Sequence, residues 1–224
     1  MKRRAKSVEQ CLIKELKVNY KTQKSAIKSR LKEFKALPES KYFQELTFCL
    51  LTPQSNAKKC WQAVEQLNKA KNPDDKSIKQ ISKILKSRTR FHNNKAKYLA
   101  EAREKWGNIN KLIDNSNNST KTVQQIRNEL ADNNSHNKVK GLGLKEASHF
   151  LRNIGKSNNK IAILDRHILR NLKALKIIPS EKIKSKIHYL QIEQKYLNFS
   201  HKIGIPADEL DLLLWAKENG EIFK

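Results

Sequence analysis

Cysteine, acid and long apolar runs are all scarce in this chain of 224 residues. Its three cysteines, Cys11, Cys49 and Cys60, form neither CxxC pairs nor an even set. That excludes a disulfide scaffold, a thiolate zinc site and a four-cysteine iron–sulfur cluster, and it points to a reducing compartment. No stretch approaches the roughly 18 apolar residues of a membrane span, and the lysine-rich start has no apolar signal core. A soluble, intracellular protein is therefore expected. His149 and His167 fall on separate predicted helices with no Cys or acidic ligand pattern nearby, so no metal site is expected. There is no alternating strand pattern of any length and no internal repeat, which leaves an all-helical fold.

The shortage of acid is extreme. Forty-seven Lys+Arg stand against 22 Asp+Glu, for a formal net charge of +25 and a sequence pI near 10.0. Such an excess attracts polyanions, with nucleic acid the first expectation, although a lysine-rich composition by itself accounts for part of it. Binding dominated by backbone phosphates should weaken steeply with salt, with a logarithmic slope of about −0.9 per phosphate neutralised. The length suits one large domain or two small lobes sharing a core.

Periodicity predicts two basic amphipathic helices over residues 1–37, meeting near Asn19–Thr22, and a buried helix over Tyr42–Leu51. Thr52-Pro53-Gln54-Ser55 breaks the pattern before a helix from Asn56 to Leu67. Further helices are predicted over Ser77–Lys86, Asn94–Trp106, Thr120–Ala131, Arg166–Leu175 and Ile183–Leu197. A last one follows Pro206 and stops at Gly220. Asn115–Ser119 reads as a surface loop and Asp132–Lys138 as a polar connector. Phe91, in the basic stretch Arg88–His92, is either a buried anchor or an exposed aromatic platform.

The stretch Val139–Ser148 carries the most chemistry. Gly141 and Gly143 flank Leu142, and the segment after them reads as a helix. A Gly-x-Gly turn opening a helix aims several backbone N–H groups one way, at the positive end of the macrodipole, as a phosphate site would. It is equally the form of a plain tight turn between helices. Lys145 sits in the first turn, where cations are unfavourable. It can be solvated, grip a phosphate, or act as an uncharged nucleophile. Twenty residues on, Asp165 ends the apolar run Ile161–Leu164, at the N-cap of the next helix. Capping and catalysis are compatible there.

Lys140–Gly155, followed by Ala162–Arg170, resembles the helix-hairpin-helix and Gly/Pro…Asp signature of DNA glycosylases. It is most similar to the archaeal-type, second-class 8-oxoguanine DNA glycosylase/AP lyases. The resemblance is dense over Lys140–Arg170 and looser from about Glu39 to Lys224. It implies one all-α domain of two helical lobes, with the hairpin (about 123–155) at the cleft between them. The implied partner is double-stranded DNA carrying 8-oxoguanine or an abasic site, bound by a monomer without cofactor or metal, in the cytoplasm at the nucleoid. Lys145 would be the Schiff-base nucleophile and Asp165 the carboxylate that stabilises the sugar as the base departs.

The resemblance further implies that Phe91 and Trp215 hold the extruded purine between them, although Trp215 on its Leu-Leu-Leu face also reads as core. Lys224 would help to recognise the base, with its terminal carboxylate a candidate acceptor for the N7 hydrogen that distinguishes 8-oxoguanine from guanine. Asp211 would support the pocket, or merely solubilise its helix. Gln54 would fill the gap in the duplex, and Lys140, Gly141, Leu142 and Gly143 would meet the DNA backbone. The link Lys156–Lys160 is longer than the pattern expects and should form a surface loop. Residues around Gln54 give no firm match, which leaves the opposite-base preference open. Two rival readings are a non-catalytic hairpin module that binds DNA backbone, and a glycosylase for another oxidised base.

Overall fold

The computed structural model describes residues 2–69, 77–114 and 121–224. The predicted loop Asn115–Ser119 lies outside them. The fold is all-α: among the described residues every regular element is helical. The helices are α1 (Lys2–Lys35), α2 (Tyr42–Leu51), α3 (Ala57–Asn68), α4 (Ile78–Leu85), α5 (His92–Glu104) and α6 (Trp106–Asp114), then α7 (Val123–Ala131), α8 (Leu144–Asn153), α9 (Arg166–Ala174), α10 (Lys186–Ile203) and α11 (Ala207–Asn219). A 3-10 turn, Glu39–Lys41, leads into α2. No helix among the described residues is long and apolar enough to cross a membrane. The chain divides into two compact units, Met1–Ala36 with Leu151–Lys224 and Leu37–Phe150, and the division falls inside α8.

In the first unit, α1 buries Leu16, Tyr20, Ile27 and Phe34, a stripe at helical spacing, and packs on α11. The sequence pattern suggested two helices here, and the structure corrects that to one. Nothing between Lys2 and Lys35 is Gly or Pro. The Thr22 hydroxyl bonds back to the Val18 carbonyl (3.2 Å), and the Tyr20 hydroxyl donates to Glu209 Oε2 (2.6 Å), so the polar residues at the expected joint are satisfied within a continuous helix. Helix α10 starts later than its apolar pattern suggests, because Ser185 caps it through His188 N (3.1 Å).

The link 156–160 is the expected surface loop, and it is pinned in place. The Ser157 hydroxyl and Asn159 N donate to Asp208 Oδ2 at 2.7 and 3.1 Å, and Asp208 N donates to Asn159 Oδ1 at 2.9 Å. Gly155, with φ +70°, makes the preceding turn. A Cβ there would stand 2.6 Å from the Lys35 backbone, so only glycine fits.

In the second unit, α2 is buried on nearly all sides, with Leu46, Phe48, Leu50 and Leu51 fully enclosed. It packs on α3 and α5. Ser77 and Thr122 open α4 and α7 with capping boxes to Gln80 and Gln125. Helix α6 has no counterpart in the sequence reading. Its Ile109, Leu112 and Ile113 supply only two turns of pattern, beside Gly107.

Candidate active site

The turn that opens α8 is tightly built. Leu142 is fully buried, and its N–H donates to the Val139 carbonyl (3.1 Å), so this residue anchors the turn and offers a ligand neither side chain nor N–H. Gly141 has φ +86°, and a Cβ there would lie 2.6 Å from the ring of Tyr98. The residue must be glycine on both counts. By contrast, the N–H groups of Gly141, Gly143, Leu144 and Lys145 have no acceptor among the described residues. With the dipole of α8 behind them these donors suit an anion. Lys140 is exposed beside them, its N–H directed at Glu101 Oε2 (3.3 Å). Buried Arg127 donates to the Ser148 hydroxyl (3.2 Å), which staples α7 to α8.

Lys145 is the second residue of α8. Its side chain is 25% exposed and its ammonium stands 3.0 Å from Glu146 Oε1. The amine is thus reachable from solvent, with a carboxylate directly beside it. Asp165 caps α9: its Oδ1 accepts from both His167 N and Ile168 N at 2.8 Å. Oδ2 accepts nothing among the described residues, so the cap occupies one oxygen and spares the other. Lys145 belongs to the second unit and Asp165 to the first.

The remaining predicted residues fall into place unevenly. Phe91 is 52% exposed and sits at φ +57° as the N-cap of α5, with the Arg90 guanidinium 5.4 Å from its ring. It is a displayed aromatic and no buried anchor. Gln54 is exposed at φ +56°, the third residue of a turn closed by Ser55 N donating to the Thr52 carbonyl (3.0 Å). Pro53 before it makes this a type II turn, whose third position normally takes glycine. Two bulky residues in left-handed backbone on solvent-facing loops mark a strained surface.

Trp215 is half-buried although Leu212, Leu213 and Leu214 before it are core, and Phe223 lies 6.3 Å away, tilted by 31°. Lys224 is half-buried as well. Asp211 is buried and receives Arg152 Nη2 at 3.3 Å, so it does not serve to solubilise α11. Among the described residues no three His, Cys, Asp or Glu side chains gather as metal ligands.

An exposed aromatic, a displayed turn, a donor-rich hairpin and a reachable amine occur together on one all-helical chain. Residues 27–205 match the family model described as 8-oxoguanine DNA glycosylase. The chain belongs to the 8-oxoguanine DNA glycosylase family. The 8-oxoguanine DNA glycosylase/AP lyase of Fusobacterium nucleatum is 44% identical to it over 216 residues, covering 94% of this chain and 96% of its own. The structure of the 8-oxoguanine DNA glycosylase of Thermotoga maritima superposes with a TM-score of 0.82 at 29% identity, covering 96% of this chain and 100% of that one. The Methanocaldococcus jannaschii 8-oxoguanine glycosylase/lyase, solved with a 15mer DNA containing 8-oxoguanine, gives a TM-score of 0.81 at 29% identity and the same coverage. The span matched by the glycosylase family model includes Gln54, Phe91, Lys145 and Asp165; Asp211, Trp215 and Lys224 lie beyond it.

Sequence reasoning missed three residues that touch the predicted ones or sit beside the turns that carry them. Glu146 had a signal, since an acid three residues into a helix is favoured and this one directly follows Lys145. Phe223 had only its aromatic character. Lys95 had none: it is 3% exposed on α5, and its ammonium donates to the carbonyls of Leu51 (2.7 Å) and Pro53 (2.8 Å) and to the Ser55 hydroxyl (2.9 Å). Burial pushes its pKa down to about 8. The Cys60 thiol opposes the shift, while the charges of Lys145 and Arg90 add to it.

Proposed function

We propose that this protein is a bifunctional base-excision repair enzyme acting on double-stranded DNA. It extrudes 8-oxoguanine, removes it, and nicks the strand there or at a pre-formed abasic site. The observation that carries the reading is the reachable amine of Lys145, in the first turn of a helix whose leading N–H groups have no partner. A DNA phosphate held by Gly141, Gly143 and the first turn of α8, with Lys140 alongside, brings a sugar to that amine.

Lys145 attacks C1′ once its amine has lost a proton, and Glu146 at 3.0 Å is the nearest group to take it. The C1′–N9 bond breaks and the base leaves with its electron pair. After the nitrogen loses a second proton, its lone pair forms the C1′=N bond as the C1′–O4′ bond breaks and O4′ takes up a proton, which gives the ring-opened Schiff base. Removal of a C2′ proton then expels the 3′ phosphate. Asp165 contributes its free oxygen, which stabilises positive charge on the sugar as the base departs. Phe91 and Trp215, the latter backed by Phe223, stack on the purine. Lys224 supplies a polar contact to its edge, Asp211 supports the pocket through Arg152, and Gln54 enters the duplex at the vacated position. The enzyme works as a monomer, at the nucleoid, without a cofactor.

The test is incision of duplexes carrying one lesion each: 8-oxoguanine, an oxidised pyrimidine or an abasic site. The expected products are free 8-oxoguanine and a nick ending in the β-elimination product, with the oxidised pyrimidine left intact. Preferential attack on the pyrimidine would move the enzyme to another lesion. Tight binding without any incision would make it a DNA-binding module.

A further inference from the structure

The Thr52–Ser55 turn and the Arg88–Phe91 turn are joined through one buried ammonium. Lys95 has three N–H donors and meets three acceptors, so its complement is full. Leu51 ends α2, and its carbonyl is among those a helix leaves unpaired. Pro53 and Ser55 flank Gln54. The Ser55 hydroxyl that accepts from Lys95 also accepts from Arg90 N (2.9 Å), the residue before Phe91. The chain Lys95–Ser55–Arg90 thus fixes the two loops that display Gln54 and Phe91 in left-handed backbone. The charged or titratable groups facing Lys95 are Cys60 on α3, Lys145 on α8 and Arg90, none of them a carboxylate. Burying an ammonium without a counter-charge is costly, and a plain staple between two loops does not require it.

We propose that Lys95 is a positioning residue for base extrusion: its ammonium locks both loops at a fixed separation, so that Gln54 enters the duplex while Phe91 meets the extruded base. This rests on the proposed reading of those two side chains as DNA contacts. The ammonium form is required, because a neutral amine has two donors for three acceptors and releases one member of the chain. Extrusion comes before base removal, while an abasic sugar has no base to extrude. Damage to the lock therefore slows 8-oxoguanine excision more than cleavage at an abasic site.

Two variants test it. Ser55→Ala removes only the hub hydroxyl, and Lys95→Met removes all three donors; should the latter fail to fold, the former carries the test alone. Amide hydrogen exchange on the free protein reads the lock itself. Residues 52–55 and 88–91 should both exchange faster in either variant, and unchanged exchange in both segments would overturn the lock. Single-turnover assays read its purpose. Excision of 8-oxoguanine should fall by about tenfold relative to abasic-site cleavage. In the native protein that ratio should also decline as pH rises through about 8. Faster exchange with an unchanged ratio would leave the lock standing and overturn its role in extrusion. If the native protein excises no 8-oxoguanine at all, the proposed function fails independently of the exchange result.

Discussion

At Asp165 both capping bonds fall on Oδ1, from His167 N and Ile168 N. This division allows the two duties of the residue to be separated. Asparagine caps a helix as well as aspartate does and keeps that oxygen, but it carries no charge. Asp165→Asn should shift the melting temperature by less than about 3 °C. Base excision should fall by about 100-fold or more, because the departing base leaves charge that a neutral amide does not balance. Equal excision by the variant would reduce Asp165 to a cap. The cap at Asp165 and the turn before Lys145 were both legible in the sequence, since each has a local signal: an apolar run that ends in a capping residue, and a Gly-x-Gly turn. Lys95 was not legible. It is one of 47 basic residues, and its three acceptors lie 40 to 44 positions upstream, so nothing near it in the chain marks it as buried. The left-handed backbone at Phe91 and Gln54 was hidden for the same reason, because side-chain chemistry favours neither residue there.

Among the elements, α5 does most to shape the second unit. Successive positions along one side of it hold different parts. Lys95 takes the turn after α2, Tyr98 packs on Gly141, and Glu101 receives Lys140 N at 3.3 Å and Lys105 Nζ at 2.8 Å. Burial pushes the Glu101 carboxyl up, but these bonds and the charges of Lys105 and Lys140 outweigh it and leave its pKa below the ordinary value. Lys105 also bonds the Lys138 carbonyl, which ties the end of α5 to the strand of chain entering the hairpin.

The hairpin is thus shaped by a helix some forty residues earlier, and Gly141→Ala should reveal it. A methyl group at φ +86° against the Tyr98 ring should cost about 1–3 kcal/mol. The expected fall in melting temperature is roughly 3–10 °C. A fall of under about 1 °C would show that the ring swings aside freely and that α5 does not shape the turn. Helix starts were readable at Asn56, Ser77 and Asp165, where the capping residue stands at the edge of the pattern, whereas at Thr122 and Ser185 the pattern ran ahead of the cap. Boundaries were misread where tertiary partners decided. Tyr20 and Thr22 looked like a break until their hydroxyls found Glu209 and the Val18 carbonyl.

For the whole molecule, the formal charge of +25 explains attraction to a polyanion but selects no chemistry, and a backbone-binding module could carry the same charge. What separates an enzyme from such a module is one amine among many. Two lysines of the second unit are candidates on first inspection. Lys95 has the depressed pKa, near 8, yet it is 3% exposed and gives all three donors to Leu51, Pro53 and Ser55. Lys145 is 25% exposed and has a carboxylate 3.0 Å away. On the proposed function access favours Lys145, since a nucleophile must reach C1′. The most direct measurement is to trap the enzyme on an 8-oxoguanine duplex with borohydride and to map the modified peptide across the entire chain by mass spectrometry. One sugar adduct on Lys145 is expected, together with loss of trapping but not of duplex binding in Lys145→Gln. An adduct on Lys95 or any other amine, or undiminished trapping by the variant, would contradict the account.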